Sequence, residues 1–202
     1  MRILLLFGFL FFSVNNYAFS GDMASTRPAF REVIWGITHP FIVLKVNKLT
    51  KISMIVTDSL GKANVLIGKS GGDLDAFKHS FWMASLAQNI KGRKARKIGI
   101  IHEKVNYRQY KRALRKGRCV QDSTASVMDL KNNEEGIKMG SKNKNISEQQ
   151  LIKKIIFAVE NGDLFIVSKD DKANYLDCNG NILLETDCRW NKGRCLMKSG
   201  GR

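Results

Sequence analysis

The sequence predicts a mainly α fold: a helical bundle-like domain followed by a short C-terminal β-hairpin tail. Three observations lead there. Apolar residues recur at helical spacing over most of the chain. Proline is scarce, with only Pro28 and Pro40 among 202 residues, which suits long helices. After Asn161-Gly162 the pattern changes to short apolar runs separated by turn signals.

Residues 25–60 read as helix. Thr26-Arg27-Pro28 forms a start with proline near the first helical position, and Pro40 divides a shorter helix from a longer one. In the longer one Phe41, Val43, Leu44, Val46, Leu49, Ile52, Ile55 and Val56 recur around Lys45, Lys48 and Lys51. Gly68 to Gly72 is a loop, and Asp73 is the expected N-cap of a helix running to about Asn89. Its apolar set, Leu74, Phe77, Phe81, Trp82, Ala84, Leu86 and Ala87, is too broad for a surface stripe and marks a central helix. Gly92 ends it. A helix from about Arg93 carries Ile98, Ile100 and Ile101 to His102-Glu103, and Asn106 to Lys116 reads as a basic helix. Asp122 opens a short helix through Asn132, with a stop expected near Gly136 or Gly140. Ser147 and Gln150 form a capping arrangement for an amphipathic helix from Leu151 that Asn161-Gly162 terminates. Leu164–Val167, Tyr175-Leu176 and Ile182–Leu184 are strand-like, with Asn179-Gly180 as the hairpin turn between the last two. No internal repeat stands out.

The first twenty residues read as a secretory signal. Arg2 supplies the positive start, Ile3 to Phe12 the apolar run, and Ala18-Phe19-Ser20 the small-residue cleavage site. The expected organisation is therefore a signal peptide over 1–20, a helical domain over 21–161 and a small β tail over 162–202. The apolar run falls short of the roughly 20 residues a spanning helix needs, so an exported, periplasmic or secreted protein with no stable transmembrane insertion is expected. The four cysteines, Cys119, Cys178, Cys188 and Cys195, are even in number, which favours disulfides in an exported chain. Cys188 with Cys195, bracketing a turn-like segment, is the first expected pair, leaving Cys119 with Cys178. The formal net charge is +16, and residues 91–118 hold twelve Lys or Arg against the single acid Glu103. That asymmetry points to an anionic partner: an envelope polymer, a phospholipid or nucleic acid.

Chemistry-capable residues gather in three blocks: Asp75-Ala-Phe-Lys78-His79-Ser-Phe-Trp82, His102-Glu103, and Met128-Asp129-Leu-Lys-Asn132-Asn133. The chain has three histidines, and two of them lie here; His39, directly before Pro40, reads as a boundary residue. Asp75 and His79, like Asp129 and Asn133, are four apart and share a helical face. Buried polar groups need partners, and the cheapest partners available are each other. The expected outcome is convergence of His79, His102, Glu103 and Asp129 as catalytic or metal-holding residues. Asp75 would orient His79 from behind, and Asn132, Asn133, Lys78 and Trp82 would meet substrate.

The order of these blocks resembles the HD-type metal phosphohydrolases. Those all-helical enzymes place a lone His on one helix, a His-Asp pair at the end of a following helix and a further Asp downstream. His79, His102-Glu103 and Asp129 occupy the matching positions, with Glu103 standing where that superfamily has Asp. The blocks are also similar to a family of exported or toxin-associated bacterial proteins with the pattern D-A-F-[R/K]-H-x-x-W, then H-E, then M-D-L-x-N-N-x-x-G, over about residues 73 to 140. That resemblance implies an all-helical fold and a shared site without naming a reaction. The leading expectation is an exported hydrolase of an anionic envelope or phosphate-bearing substrate, with His79, His102, Glu103 and Asp129 around a divalent ion such as Zn, Mn or Mg. A metal-free glycan hydrolase with Glu103 as general acid and Asp129 as its partner is the first alternative. A non-enzymatic basic envelope-binding protein is the second.

Overall fold

The computed structural model describes residues 40–119, 122–184 and 186–200. The expected signal segment, the helix start at Thr26–Pro28 and His39 lie outside them. Five helices, α1 (Pro40–Lys62), α2 (Asp73–Asn89), α3 (Gly92–Leu114), α4 (Ser123–Lys142) and α5 (Glu148–Glu160), precede two short strands, β1 (Phe165–Val167) and β2 (Leu196–Lys198). The fold is mainly α, as the periodicity implies. Among these helices none is long and apolar enough to cross a membrane.

Helix α2 is the axle. Its residues from Leu74 to Ala87 are nearly all buried, because every face has a neighbour. One face meets α5 and β1 through Phe77, Phe81, Leu151, Ile155, Val159, Leu164 and Ile166, and the Phe77 and Phe81 rings stack at 5.5 Å, one helical turn apart. Each such fully buried side chain contributes about 2 kcal/mol of transfer free energy. Another face packs Met83 and Leu86 on Ala95 and Ile98 of α3 and Ile137 of α4. Helix α1 runs antiparallel along α2, tied by Trp82 Nε1 donating to Thr50 Oγ1 at 2.9 Å and Ser53 Oγ to Lys78 O at 3.4 Å.

Helix α4 continues through both glycines at which a stop is expected. A Cβ on Gly136 would lie 2.2 Å from Ser80 O, and one on Gly140 would lie 2.1 Å from Ala84 O. The glycines are therefore required by contact with α2, and that backbone-to-backbone packing outweighs the roughly 1 kcal/mol of helix propensity each forfeits. Asp122 caps α4 by accepting from Ala125 N at 3.0 Å, as its position suggests. Its other oxygen, Oδ2, pairs with Arg194 Nε of the tail at 3.1 Å in a buried ion pair. Helix α3 is one continuous helix where the sequence suggests two segments, so His102-Glu103 lies mid-helix. Helix α5 carries the expected capping box, with Ser147 and Gln150 bonded reciprocally.

The tail differs from expectation in its pairing. β1 pairs antiparallel with β2, Ile166 opposite Met197, while the expected hairpin survives as a single bridge between Leu176 and Ile182 around Gly180. A short internal repeat, invisible as a pattern of apolar residues, shapes this region. Asp170 Oδ1 accepts from Lys172 N and Asn174 N, and Asp177 Oδ1 accepts from Asn179 N and Asn181 N, seven residues on. The fourth residue of each loop, Ala173 or Gly180, takes a positive φ. The disulfides also differ from the expected pairing: Cys119 joins Cys188 and Cys178 joins Cys195, with Cα separations of 4.8 and 4.7 Å. The reason is tertiary. Cys195 N donates to Leu176 O, beside Cys178, while Tyr110 Oη donates to Cys188 O and holds that residue against the end of α3 near Cys119. Two disulfides fit an exported protein.

Candidate functional site

Asp75, Lys78, His79 and Trp82 stand at i, i+3, i+4 and i+7 on α2 and so form one stripe. The loop entering α2 shapes the first of them. Gly68 and Gly71 adopt φ of +82° and +73°, a region open to glycine at no cost. That turn aims Gly71 N at Asp75 Oδ2, 2.8 Å away. Lys78 Nζ lies 2.5 Å from the other oxygen, Asp75 Oδ1. Gly72 is the N-cap and has no side chain to offer, so Asp73 lies inside the first turn, where it and Asp75 complement the helix dipole.

The glycine contact with α4 decides what the stripe meets. Because Gly136 and Gly140 let α4 run in the same direction as α2 at backbone contact, Asn133 and Asp129, one and two turns upstream of Gly136, fall opposite His79. His79 Nε2 lies 3.2 Å from Asp129 Oδ1 and 3.7 Å from Asp75 Oδ1. Asp75, His79 and Asp129 each offer a ligand atom, all within 4.8 Å of one another. The side chains are 10%, 4% and 3% exposed. Asp129 Oδ1 and His79 Nδ1 make no hydrogen bond of good geometry, and neither does either polar atom of Asn133, whose carboxamide faces the His79 ring.

Helix α3 closes the third side. Gly99 admits the Asn133 side chain: a Cβ there would sit 3.0 Å from Asn133 Nδ2. One turn on, the His102 ring stands 6.1 Å from that of His79 and edge-on to Trp82 at 5.3 Å. Glu103 is buried, with Asn106 Nδ2 donating to its Oε1 at 3.2 Å and Ser126 of α4 facing it.

Burial dominates the protonation of the cluster. It holds His79 down at about 3 and His102 at about 4, with the neighbouring Lys78 charge acting the same way. Both imidazoles are therefore neutral near pH 7. Burial pushes Glu103 up to about 7 despite the nearby Ser126 hydroxyl and the bond from Asn106, and Asp75 adds to the push. Asp129 is pushed well above the ordinary carboxylate range by burial, Asp75 and Glu103. Asp75 goes the other way. Burial would raise it, but Lys78, His79 and the Gly71 amide together lower it. Lys78 is raised: burial works against its charge, and Asp75, Asp129 and Glu103 outweigh burial. The result is one ion pair, two neutral imidazoles and two carboxyl groups that hold protons readily.

The geometry rearranges the roles expected from sequence. His79, His102, Glu103 and Asp129 do face one region, yet the tight donor set is Asp75, His79 and Asp129. Asp75 is thus a direct member and not a residue orienting His79 from behind. Asn132 is corrected: it is fully buried, and its carboxamide is used by the main chain of Phe165, donating to O at 2.8 Å and accepting from N at 2.9 Å. It fastens β1 to α4. Asn133 lies in the cluster, Lys78 at its edge, and Trp82 spends its N–H on α1. Sequence reading missed Asn106, Ser126 and Gly99. The Gly99–Glu103–Asn106 spacing on one face of α3 is the signal that points to two of them.

No curated protein and no solved structure matches the chain. A family model, described as a domain of unknown function (DUF6973), matches residues 33–163. That match takes in all five helices and every residue of the polar cluster on α2, α3 and α4, and it ends just before β1. The chain is a member of this domain family.

Proposed function

We propose that the protein is an exported hydrolase that cleaves an anionic, phosphate-bearing substrate at the Asp75–His79–Asp129 cluster, with Glu103 as its proton donor. The observation that carries this reading is the gathering, from three helices, of three carboxyl groups and two neutral imidazoles beside one half-buried lysine. A structural polar network would satisfy its members. Here Asp129 Oδ1, His79 Nδ1 and both Asn133 atoms lack good hydrogen bonds, which costs about 1–3 kcal/mol each, and such unspent groups are what a ligand uses.

Asp75, His79 and Asp129 would hold a divalent cation, a nitrogen and two carboxylate oxygens being a donor set for Zn, Mn or Mg. A bound ion supplies charge to polarise a phosphoryl oxygen and to lower the pKa of water. The chain's own residues do the rest. Glu103, held near 7, is protonated often enough at neutral pH to donate to a leaving oxygen. His102, neutral and half-buried, accepts a proton. The face of α3 with Arg93, Lys97, Lys104, Lys111 and Arg112, exposed among the described residues, raises the local concentration of an anion. The order His79, His102-Glu103, Asp129 along the chain, as in HD-type phosphohydrolases, also supports the reading.

The high position of Glu103 equally favours metal-free glycan cleavage with Glu103 as general acid, and one experiment separates the two. Oxidised, purified protein is assayed on phosphomonoesters, phosphodiesters and cell-wall glycan, with Mn or Zn and with chelator. Turnover of a phosphate ester that chelation abolishes, and that His79→Ala and Asp129→Asn reduce by about 100-fold or more, is the expected result. Glycan cleavage that survives chelation selects the second reading, and no turnover in any condition sinks both.

A further inference from the structure

Lys78 makes the cluster more than a ligand set. Its Nζ lies 2.5 Å from Asp75 Oδ1, the same oxygen that stands 3.7 Å from His79 Nε2. Two ligands each about 2.1 Å from one ion sit about 3–3.6 Å apart; His79 and Asp129 stand at 3.2 Å, His79 and Asp75 at 3.7 Å, and all three donor atoms lie within 4.8 Å of one another, so side-chain shifts of under about 1 Å would bring them around one cation. That space is bordered by the unbonded Asp129 Oδ1, on a residue 2% exposed. The ammonium of Lys78 therefore stands on a shared ligand oxygen.

We propose that Lys78 is a resident counter-cation of a divalent-metal site formed by Asp75, His79 and Asp129, and that the metal and the Lys78 ammonium compete for Asp75. The proposal rests on the metal-dependent form of the function above. Two geometric facts carry it. An ammonium on Asp75 Oδ1 and an ion bound to that oxygen would be like charges a few ångströms apart in a buried site, where screening is weak. Lys78 is also the member with a way out: its side chain is 34% exposed, against 10% for Asp75, 4% for His79 and 3% for Asp129. Metal entry swings the ammonium outward along its flexible stem, and the displaced charge then stands on the solvent side of the metal, where an incoming anion arrives. The metal-free protein keeps its carboxylates compensated, and the loaded protein gains a cation directed at substrate.

The test is calorimetric titration of the oxidised full-length chain with MnCl2 and ZnCl2, comparing wild type, Lys78→Met, Lys78→Arg and Asp129→Asn. Removing the resident charge is expected to tighten binding by about tenfold or more. Lys78→Arg should bind like wild type, and Asp129→Asn should lose binding. Equal or weaker binding by Lys78→Met overturns the proposal, as does absence of binding in both. A crystal of wild type soaked in Mn needs no variant to fold. An anomalous peak among the three donors with Lys78 off Asp75 supports the exchange, and a peak with that ion pair intact overturns it. Turnover that persists in chelator without metal binding removes this proposal and leaves a hydrolase. Competition between metal and Lys78 with no turnover leaves this proposal and removes the hydrolase.

Discussion

Gly140→Ala is the sharpest test of how the site is assembled. Helix propensity alone makes the substitution stabilising by about 1 kcal/mol, so the sign of the effect is itself informative. The added Cβ would lie 2.1 Å from Ala84 O and 2.7 Å from Ala84 C. An ordinary contact is about 3.4 Å or more, so α4 and α2 must separate by about 1 Å at this level. Both opposing atoms are backbone and cannot rotate away. Overpacking of this kind costs about 1–3 kcal/mol when side chains can adjust, and more when two helix backbones must part. Taking about 3 for the clash and subtracting about 1 for propensity leaves a net loss of about 2 kcal/mol. For a chain of this size that is a fall in Tm of about 4–8 °C. Moving α4 by even half that distance also stretches the 3.2 Å approach of His79 to Asp129, so affinity for the proposed metal should fall with stability. Calorimetric melting and metal titration of Gly140→Ala measure both. An unchanged or raised Tm would refute the claim that these glycines exist for helix contact.

Three further outcomes are expected. Non-reducing peptide mapping should find Cys119 with Cys188 and Cys178 with Cys195, and the longer loop, spanning 69 positions against 17, should be worth about 4 kcal/mol against about 3; a larger loss from Cys178→Ser than from Cys119→Ser in urea melts contradicts this. Glu103, raised to about 7 in the fold from 4.5, binds its proton more tightly folded than unfolded, so its contribution is full below pH 4.5 and is lost as pH rises through 7. Glu103→Gln should therefore nearly match wild type at pH 4.5 and exceed it by about 3 kcal/mol at pH 8, and a constant difference across pH denies the buried, proton-holding carboxyl. Asn132→Ala removes both bonds to Phe165 and should cost about 2–4 kcal/mol, with faster hydrogen exchange at the Phe165 amide; unchanged exchange there shows the tail is held by other means.

The sequence by itself determined where most of the helices lie and the titratable members of the cluster. Periodicity placed α2 and the end of α5 because amphipathic burial and capping are local properties, written in Leu74, Phe77 and Phe81 and in Ser147 and Gln150. The polar residues of the site were legible for a related reason: Asp75, His79, Glu103 and Asp129 interrupt apolar positions, and a buried charge needs company. What only the tertiary structure decided is which partners they have. Gly136 and Gly140 read locally as helix stops, yet they are contact residues, since the clash they avoid comes from α2, some fifty residues away in the chain. Asn132 and Asn133 are adjacent and chemically identical, and one is used by the β1 backbone while the other faces His79, because one helical step of about 100° separates them. Cysteine pairing followed the same rule: strand register beside Leu176 and the Tyr110 contact chose the partners, and nearness in sequence did not.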